Sequence, residues 1–313
     1  MPPTVGASID IGSNSVHLLV AQVADHEIEP LADESVFLGL GATVAAEALL
    51  GPDARAALID ALRTYVDTAR TLGAAAVTLV GTEPLRRAGD GRTLVREVLS
   101  ALGLPLHVVT HEEEALLTVV GVMAGRPVAH ETLVVDLGGG SSEFCVVGPD
   151  GPPRAAGLRL GSARLTDRLA AHDPPTAEEL YEMLVEARRL VDQAPDARPR
   201  EIVAVGGTAS NLVKVIRFGR SRRVLTRDGT AKGLALLAAE PAELAALRHA
   251  IKPARARILP AGAVIVDAIL RRYGVDSMRV SEAGIREGAI LARAHAGTAW
   301  RDRLPDLAHG WRA

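Results

Sequence analysis

Apolar positions along the chain follow two periods. Short runs rich in Val, Ile, Leu and Ala, bounded by Gly, Pro, Asp or Ser, predict strands at 5–10, 16–23, 75–80, 106–109, 132–136, 143–148, 154–160, 201–205 and 277–281. Longer segments with apolar residues every three or four positions predict helices at 53–72, 90–102, 111–124, 162–171, 176–193, 208–217, 241–249, 258–272 and 284–296. The helix at 53 has Pro52 near its start and Gly73 past its end, the punctuation helices favour. PDGPP at 149–153 predicts a turn between two short strands. Strands and helices alternate, so the fold class is α/β.

The pattern also repeats. IDIGSNSVHLLV (9–20) and VDLGGGSSEFCV (135–146) align without a gap: Asp10, Gly12 and Ser15 match Asp136, Gly138 and Ser141. Each copy is a β-type run, a polar glycine turn and a second apolar run. Each therefore predicts a hairpin whose turn carries D-x-G-x-x-S. Two such hairpins opening two halves of a chain predict a duplicated domain with a cleft between the copies. The expected boundary lies near Gly125–His130, giving domains at 1–125 and 126–313.

Bulk composition narrows the class. A chain of 313 residues is long for one core, which agrees with two domains. Hydrophobic residues make up 48% and charged residues 23%, and no apolar run reaches the ~18 residues that span a bilayer. The start lacks the basic-then-apolar layout of a secretion signal, so a cytoplasmic protein without a membrane partner is expected. The net charge of −3 gives no overall case for nucleic acid. The single cysteine, Cys145, excludes an intramolecular disulfide, and its apolar setting predicts a buried structural thiol. Basic charge is almost all arginine, the side chain that grips phosphate with two N–H groups at once.

The glycine turns suggest chemistry. A turn with bare backbone N–H groups holds an anion well, above all phosphate. Ser13, Ser15, Ser141 and Ser142 add hydroxyls. Asp10, Asp136 and Glu143 are hard oxygen ligands of the kind Mg²⁺ accepts, and a carboxylate beside phosphate needs such a cation. Ordinary hairpin turns would also use Asp and Gly, but two matched copies favour paired phosphate clamps with a divalent ion. A third glycine site, VAVGGTASNL (203–212), ends a strand at Gly206-Gly207 and opens a helix at Thr208, which delivers a helix N-terminus to an anion.

In THEEEALLTVVG (110–121), Thr110 and Glu113 fit a capping box, and Glu112 suits the first turn of a helix. Glu114 has no such task; it is either a solvated side chain or a functional carboxylate. His111 is expected to be an exposed first-turn residue. In GTEPLRRAGD (81–90), Arg86 or Arg87 sits after a strand, where open α/β sheets bind ligands. RFGRSRR (217–223), with Arg227, is either a solvated loop or a contact for a polyanion.

Together these segments resemble the exopolyphosphatase / guanosine pentaphosphate phosphohydrolase (Ppx/GppA) family. The motifs are DIGSNSVHLLV (10–20), GTEPLRRA (81–88), EEEA (112–115), DLGGGSSE (136–143), LRLGSARL (158–165), VGGTASNL (205–212), RARILPAG (255–262) and SEAGIREG (281–288). They run in family order over nearly the whole chain. The resemblance implies duplicated actin-like (ribonuclease H-like) domains, with the helix at 284–296 packing back on the first. It implies that Glu114 is the catalytic base acting on water. It places phosphate-binding loops on Gly12, Ser13, Asn14 and Ser15, on Gly138, Gly139, Gly140 and Ser141, and on Gly206, Gly207 and Thr208, with Arg86 as a phosphate ligand. Asp10, Asp136 and Glu143 would be associated with Mg²⁺.

The implied substrate is inorganic polyphosphate, in short chains, or guanosine pentaphosphate; a homodimer is implied as well. A sugar-kinase-like activity and a non-catalytic guanosine tetra- or pentaphosphate sensor are the competing classes. The chain departs from the family pattern at Glu83 and Pro84, and at Leu116, where an arginine is usual.

Overall fold

The structure, a computed structural model, describes residues 3–216 and 223–311. The chain divides into two compact units, Met1–Val128 with Ala283–Ala313, and Ala129–Glu282.

The first unit opens with β1 (Thr4–Ile11), β2 (Ser15–Ala24) and β3 (Glu27–Phe37), followed by α1 (Leu40–Glu47) and α2 (Gly51–Thr71). Then come β4 (Ala76–Gly81), α3 (Glu83–Arg87), α4 (Gly91–Leu102), β5 (Leu106–Val108) and α5 (His111–Met123). The sheet order is β3-β2-β1-β4-β5. The first three strands form an antiparallel meander, while β1, β4 and β5 run parallel. Ile9 and Ile11 of β1, Leu18 of β2 and Leu79 of β4 are fully buried, against Leu58 and Leu62 of α2 and Leu94 of α4. Burial of this kind contributes roughly 1.5–3 kcal/mol per large side chain.

The second unit holds β6 (Thr132–Leu137), β7 (Ser142–Val147), β8 (Arg154–Leu158), α6 (Ser162–Leu169), α7 (Ala177–Val191), β9 (Glu201–Val205) and α8 (Gly206–Ile216). It continues with β10 (Val224–Thr226), α9 (Arg227–Leu237), α10 (Ala242–His249), α11 (Pro253–Arg272) and β11 (Ser277–Val280). Its sheet order is β10-β11-β9-β6-β7-β8, with β6, β9 and β11 parallel. The long apolar face of α11, including Leu259, Ile265 and Ile269, forms the centre of this core. Cys145 is fully buried in β7, and burial pushes its thiol up to about 12, which makes it a structural residue.

The chain then returns to the first unit with α12 (Ile285–Ala296), a 3₁₀ turn at Gly297–Ala299 and α13 (Leu304–Ala308). α12 packs on α5 with almost no side chain between them. A Cβ added at Gly288 would lie 1.8 Å from the carbonyl oxygen of Leu117, and one at Gly121 would lie 2.0 Å from that of Gly284. Only glycine permits this approach.

Several elements were hidden from the pattern. β3 is an edge strand, EIEPLADESVF, with no residue fully buried, and Pro30 sits by a register shift opposite Ala21. Such a strand has no apolar alternation to read. α9 contains Gly229 and Gly233, which weaken helix propensity, and α1 and α3 are short. Of the basic cluster, residues 217–222 lie outside the described residues. Arg223 pairs with Glu282, and Arg227 donates to the carbonyls of Val275 and Leu270. Among the described residues, no helix is long and apolar enough to cross a membrane.

Candidate functional site

In the first unit, β1 and β4 end side by side, with Ile11 opposite Gly81 and the Thr82 hydroxyl donating to the Ile11 carbonyl at 3.0 Å. Three segments leave the C-terminal ends of the parallel strands: the β1–β2 turn, α3 and the start of α5. Ligands of open α/β sheets collect at this end. The β1–β2 turn closes by Gly12 N–H donating to the Ser15 carbonyl at 3.1 Å. The Ser13 carbonyl accepts from Gly41 N–H at 2.7 Å, and the Asn14 carbonyl accepts from Leu38 and Gly39.

The Ser13 hydroxyl donates to Glu83 Oε2 at 2.9 Å, and Arg87 donates to the other oxygen of Glu83 at 2.9 Å. Glu83 is buried. Sequence reasoning treated it as a departure, yet it ties the glycine turn to α3.

Glu114 lies in the first turn of α5 and is only 7% exposed, so it is not a solvated side chain. Arg86 NH1 donates to Glu114 Oε2 at 2.5 Å and to the Val109 carbonyl at 3.0 Å, while its NH2 lies 3.0 Å from His111 Nδ1. Arg86 is thus shared between the predicted base and the β5–α5 loop. His111 corrects the expectation of an exposed residue: it is partly buried, and burial, then the Arg86 charge, lowers its pKa. The Thr110–Glu113 capping box forms as predicted, with both of its hydrogen bonds present.

In the second unit, the Gly138 N–H donates to the Ser141 carbonyl at 3.1 Å, the same closure as at Gly12. None of Gly138, Gly139 and Gly140 has positive φ, so this is no type I′ hairpin turn. The glycines serve close approach instead. A Cβ at Gly138 would lie 2.7 Å from the Ser141 carbonyl oxygen, and a Cβ at Gly161 would lie 2.2 Å from that of Gly139. The α6 start is laced to the turn: Ser162 N–H donates to Gly138, Arg164 N–H to Gly139, and Arg164 Nε to Gly140 at 2.7 Å.

Asp136 and Glu143 stand directly opposite each other on β6 and β7, so both side chains project from one face. Facing carboxylates repel, and each needs a proton or a cation. Asp136 retains some solvent contact, yet desolvation pushes its carboxyl up to about 6. Glu143 Oε1 accepts from the Ser141 hydroxyl at 2.7 Å. This all-oxygen pair fits a divalent ion such as Mg²⁺. The equivalent position opposite Asp10 is His17, so the duplicated hairpins are not chemically equivalent.

β9 ends beside β6, with Val205 opposite Asp136. Gly206 has φ +90°, and a Cβ there would lie 2.5 Å from Asp136 Oδ1. Thr208 Oγ1 lies 3.0 Å from Ser162 Oγ. A Cβ at Gly207 would lie 3.3 Å from NH1 of Arg255, at the start of α11. Among the described residues no carboxylate pairs with Arg255, and burial alone pulls its pKa down. Residue-type reasoning gave this arginine no role, because its distance in sequence from the glycines hides their contact.

The structure thus gathers Asp10, Gly12–Ser15, Arg86 and Glu114 at one end of the first sheet. It gathers Asp136, Gly138–Ser141, Glu143 and Gly206–Thr208 at one end of the second. Two α/β units, each with a glycine-turn hairpin at the C-terminal ends of its parallel strands, define a protein of the duplicated actin-like, ribonuclease H-like class. Within that class, the chain belongs to the Ppx/GppA phosphatase family, whose model matches residues 19–296. It is 30% identical to exopolyphosphatase 2 of Mycobacterium tuberculosis, over 92% of this chain and 98% of that protein. It is 26% identical to the guanosine-5'-triphosphate,3'-diphosphate pyrophosphatase of Vibrio cholerae, covering 91% of this chain but 58% of that protein. A crystal structure of the Aquifex aeolicus Ppx/GppA family member aligns with a TM-score of 0.81 at 28% identity, over 94% of this chain and 98% of that one.

Proposed function

We propose that this phosphatase is an exopolyphosphatase, releasing terminal phosphate from inorganic polyphosphate, preferentially short chains, by attack of a water activated by Glu114. The observation that carries the reading is the buried Glu114 held by Arg86 at the ligand-binding end of the first sheet. A carboxylate in that setting is oriented by its arginine and able to accept a proton from water, a contribution of roughly 10²–10⁴-fold.

The glycine turns at Gly12–Ser15 and Gly138–Ser141 and the start of α8 supply backbone N–H groups for phosphoryl oxygens. Phosphoryl transfer depends mainly on such positioning and charge neutralisation. Arg86 spans both tasks, as partner of the base and as a cation for the terminal phosphate. Asp136 and Glu143 in the second unit are the residues that would hold Mg²⁺, which when bound supplies positive charge against the phosphate oxygens. The name of the mycobacterial relative supports polyphosphate as substrate; the name of the Vibrio relative supports guanosine pentaphosphate as the second reading.

The deciding experiment measures phosphate release from tripolyphosphate, long-chain polyphosphate and guanosine pentaphosphate, each with and without Mg²⁺. Fastest release from tripolyphosphate is expected. Release from the nucleotide alone would select the second reading, and nucleotide binding without any release would select a sensor.

A further inference from the structure

The C-terminal segment beyond α12 lies outside the family match, which ends at residue 296. It is nevertheless docked along α5. Trp300 is 1% exposed and meets the His107 ring edge-on, with centroids 5.3 Å apart. Leu304 and Ala308 are fully buried, and Trp311 N–H donates to the Gly125 carbonyl, just past the end of α5, at 3.0 Å. The segment therefore holds α5 at both ends.

At the front end, Arg301 makes a two-pronged contact. Its Nε donates to Glu113 Oε1 at 2.8 Å and its NH2 to Glu113 Oε2 at 2.7 Å; NH2 also reaches the Val108 carbonyl at 3.4 Å. Glu113 Oε2 in turn accepts from Thr110 N–H at 2.8 Å. Burial works to raise the Glu113 pKa, but the Arg301 guanidinium and the Thr110 N–H hold it below the usual range. Glu113 is thus a fixed anion, locked to the strand before it and to the turn that contains Glu114.

We propose that Arg301 is a positioning residue for the reaction: through Glu113 it fixes the first turn of α5 and so the aim of Glu114. The inference rests on the reading of Glu114 as the base. Two-pronged guanidinium–carboxylate contacts fix geometry as well as charge. A small misplacement of a catalytic group is costly, on the order of 10²-fold per ångström. Arg301 also neutralises the carboxylate next to Glu114 in sequence, so the base is not flanked by an uncompensated anion.

The test compares wild type with Arg301→Ala, Arg301→Lys, Glu113→Gln, Leu304→Ala and Glu114→Gln, assayed with tripolyphosphate well below each melting temperature. Arg301→Ala is expected to lower kcat roughly 10-fold or more with KM changed less than about 3-fold, and Arg301→Lys to recover part of the loss. Glu113→Gln keeps a capping-box side chain but loses the charge, and is expected to lower kcat in the same direction. Leu304→Ala is expected to lower the melting temperature and leave kcat unchanged, which separates positioning from general loosening. Full kcat in a folded Arg301→Ala, or in Glu113→Gln if Arg301→Ala does not fold, overturns the proposal when Glu114→Gln is inactive. An active Glu114→Gln instead overturns the reading of the base itself.

Discussion

Arg86 donates to Glu114 across 2.5 Å, from a five-residue helix after β4 to the first turn of α5. The pair joins two segments 28 residues apart in sequence. A guanidinium so close orients the carboxylate that the proposed mechanism uses as its base. Arg86→Ala is expected to lower kcat by about 10²-fold or more, and Arg86→Lys by less, because lysine keeps the charge but not the planar fork. Steady-state kinetics with tripolyphosphate check this, and a KM effect alone would assign Arg86 to substrate binding only.

Arg255 beside Gly207 predicts the opposite kinetic signature. It makes no ion pair among the described residues and sits over the start of α8. Arg255→Ala is expected to raise KM about 10-fold or more, with a smaller change in kcat, the pattern of a lost phosphate contact. A normal KM in a folded variant contradicts that assignment.

The α5–α12 contact predicts a stability effect. Gly288→Ala forces a methyl group against the Leu117 carbonyl, where no flexible side chain can yield. Overpacking of this kind costs ~1–3 kcal/mol, and more where backbone must move. Thermal unfolding should show a drop of several degrees, together with reduced activity because α5 carries Glu114. An unchanged melting temperature would sink this account of the contact.

Much of this was legible in the sequence, and the reasons differ by element. The paired D-x-G-x-x-S turns were readable because backbone closure and close approach leave a glycine signature at each copy. Glu114 stood out as the glutamate that the capping box and the helix dipole left unassigned, and its role as base is what the family resemblance implies. Strand β3 was not readable, because an edge strand with charged residues has no buried face to impose alternation. The roles of Glu83 and Arg301 were invisible for another reason. Each depends on a partner far away in sequence, Ser13 and Glu113 respectively, and nothing local distinguishes a surface charge from a buried clasp.

Asp136 predicts a pH dependence for the metal-free protein. Its folded pKa, about 6, is raised above the ordinary 3.8 by desolvation. A raised carboxyl favours the protonated form in the folded state, so its contribution to stability is complete below the unfolded pKa and is lost as pH rises through about 6. The melting temperature of metal-free protein should therefore gain a few degrees between pH 7.5 and pH 5 from this group. Asp136→Asn should flatten that gain, and added Mg²⁺ should stabilise wild type more at pH 7.5 than at pH 5, because proton and cation compete for the same oxygens. Equal Mg²⁺ stabilisation of wild type and Asp136→Asn at pH 7.5 would remove Asp136 from the ligand set.

The central claim is that Glu114 is the base for hydrolysis of a terminal phosphate. The direct measurement is single-turnover phosphate release from tripolyphosphate with Mg²⁺, comparing wild type and Glu114→Gln at equal folded concentration. A fall of roughly 10²–10⁴-fold, with circular dichroism and tripolyphosphate binding retained, is the predicted result. Release within a few-fold of wild type would contradict the assignment and return the search for the base to the remaining carboxylates.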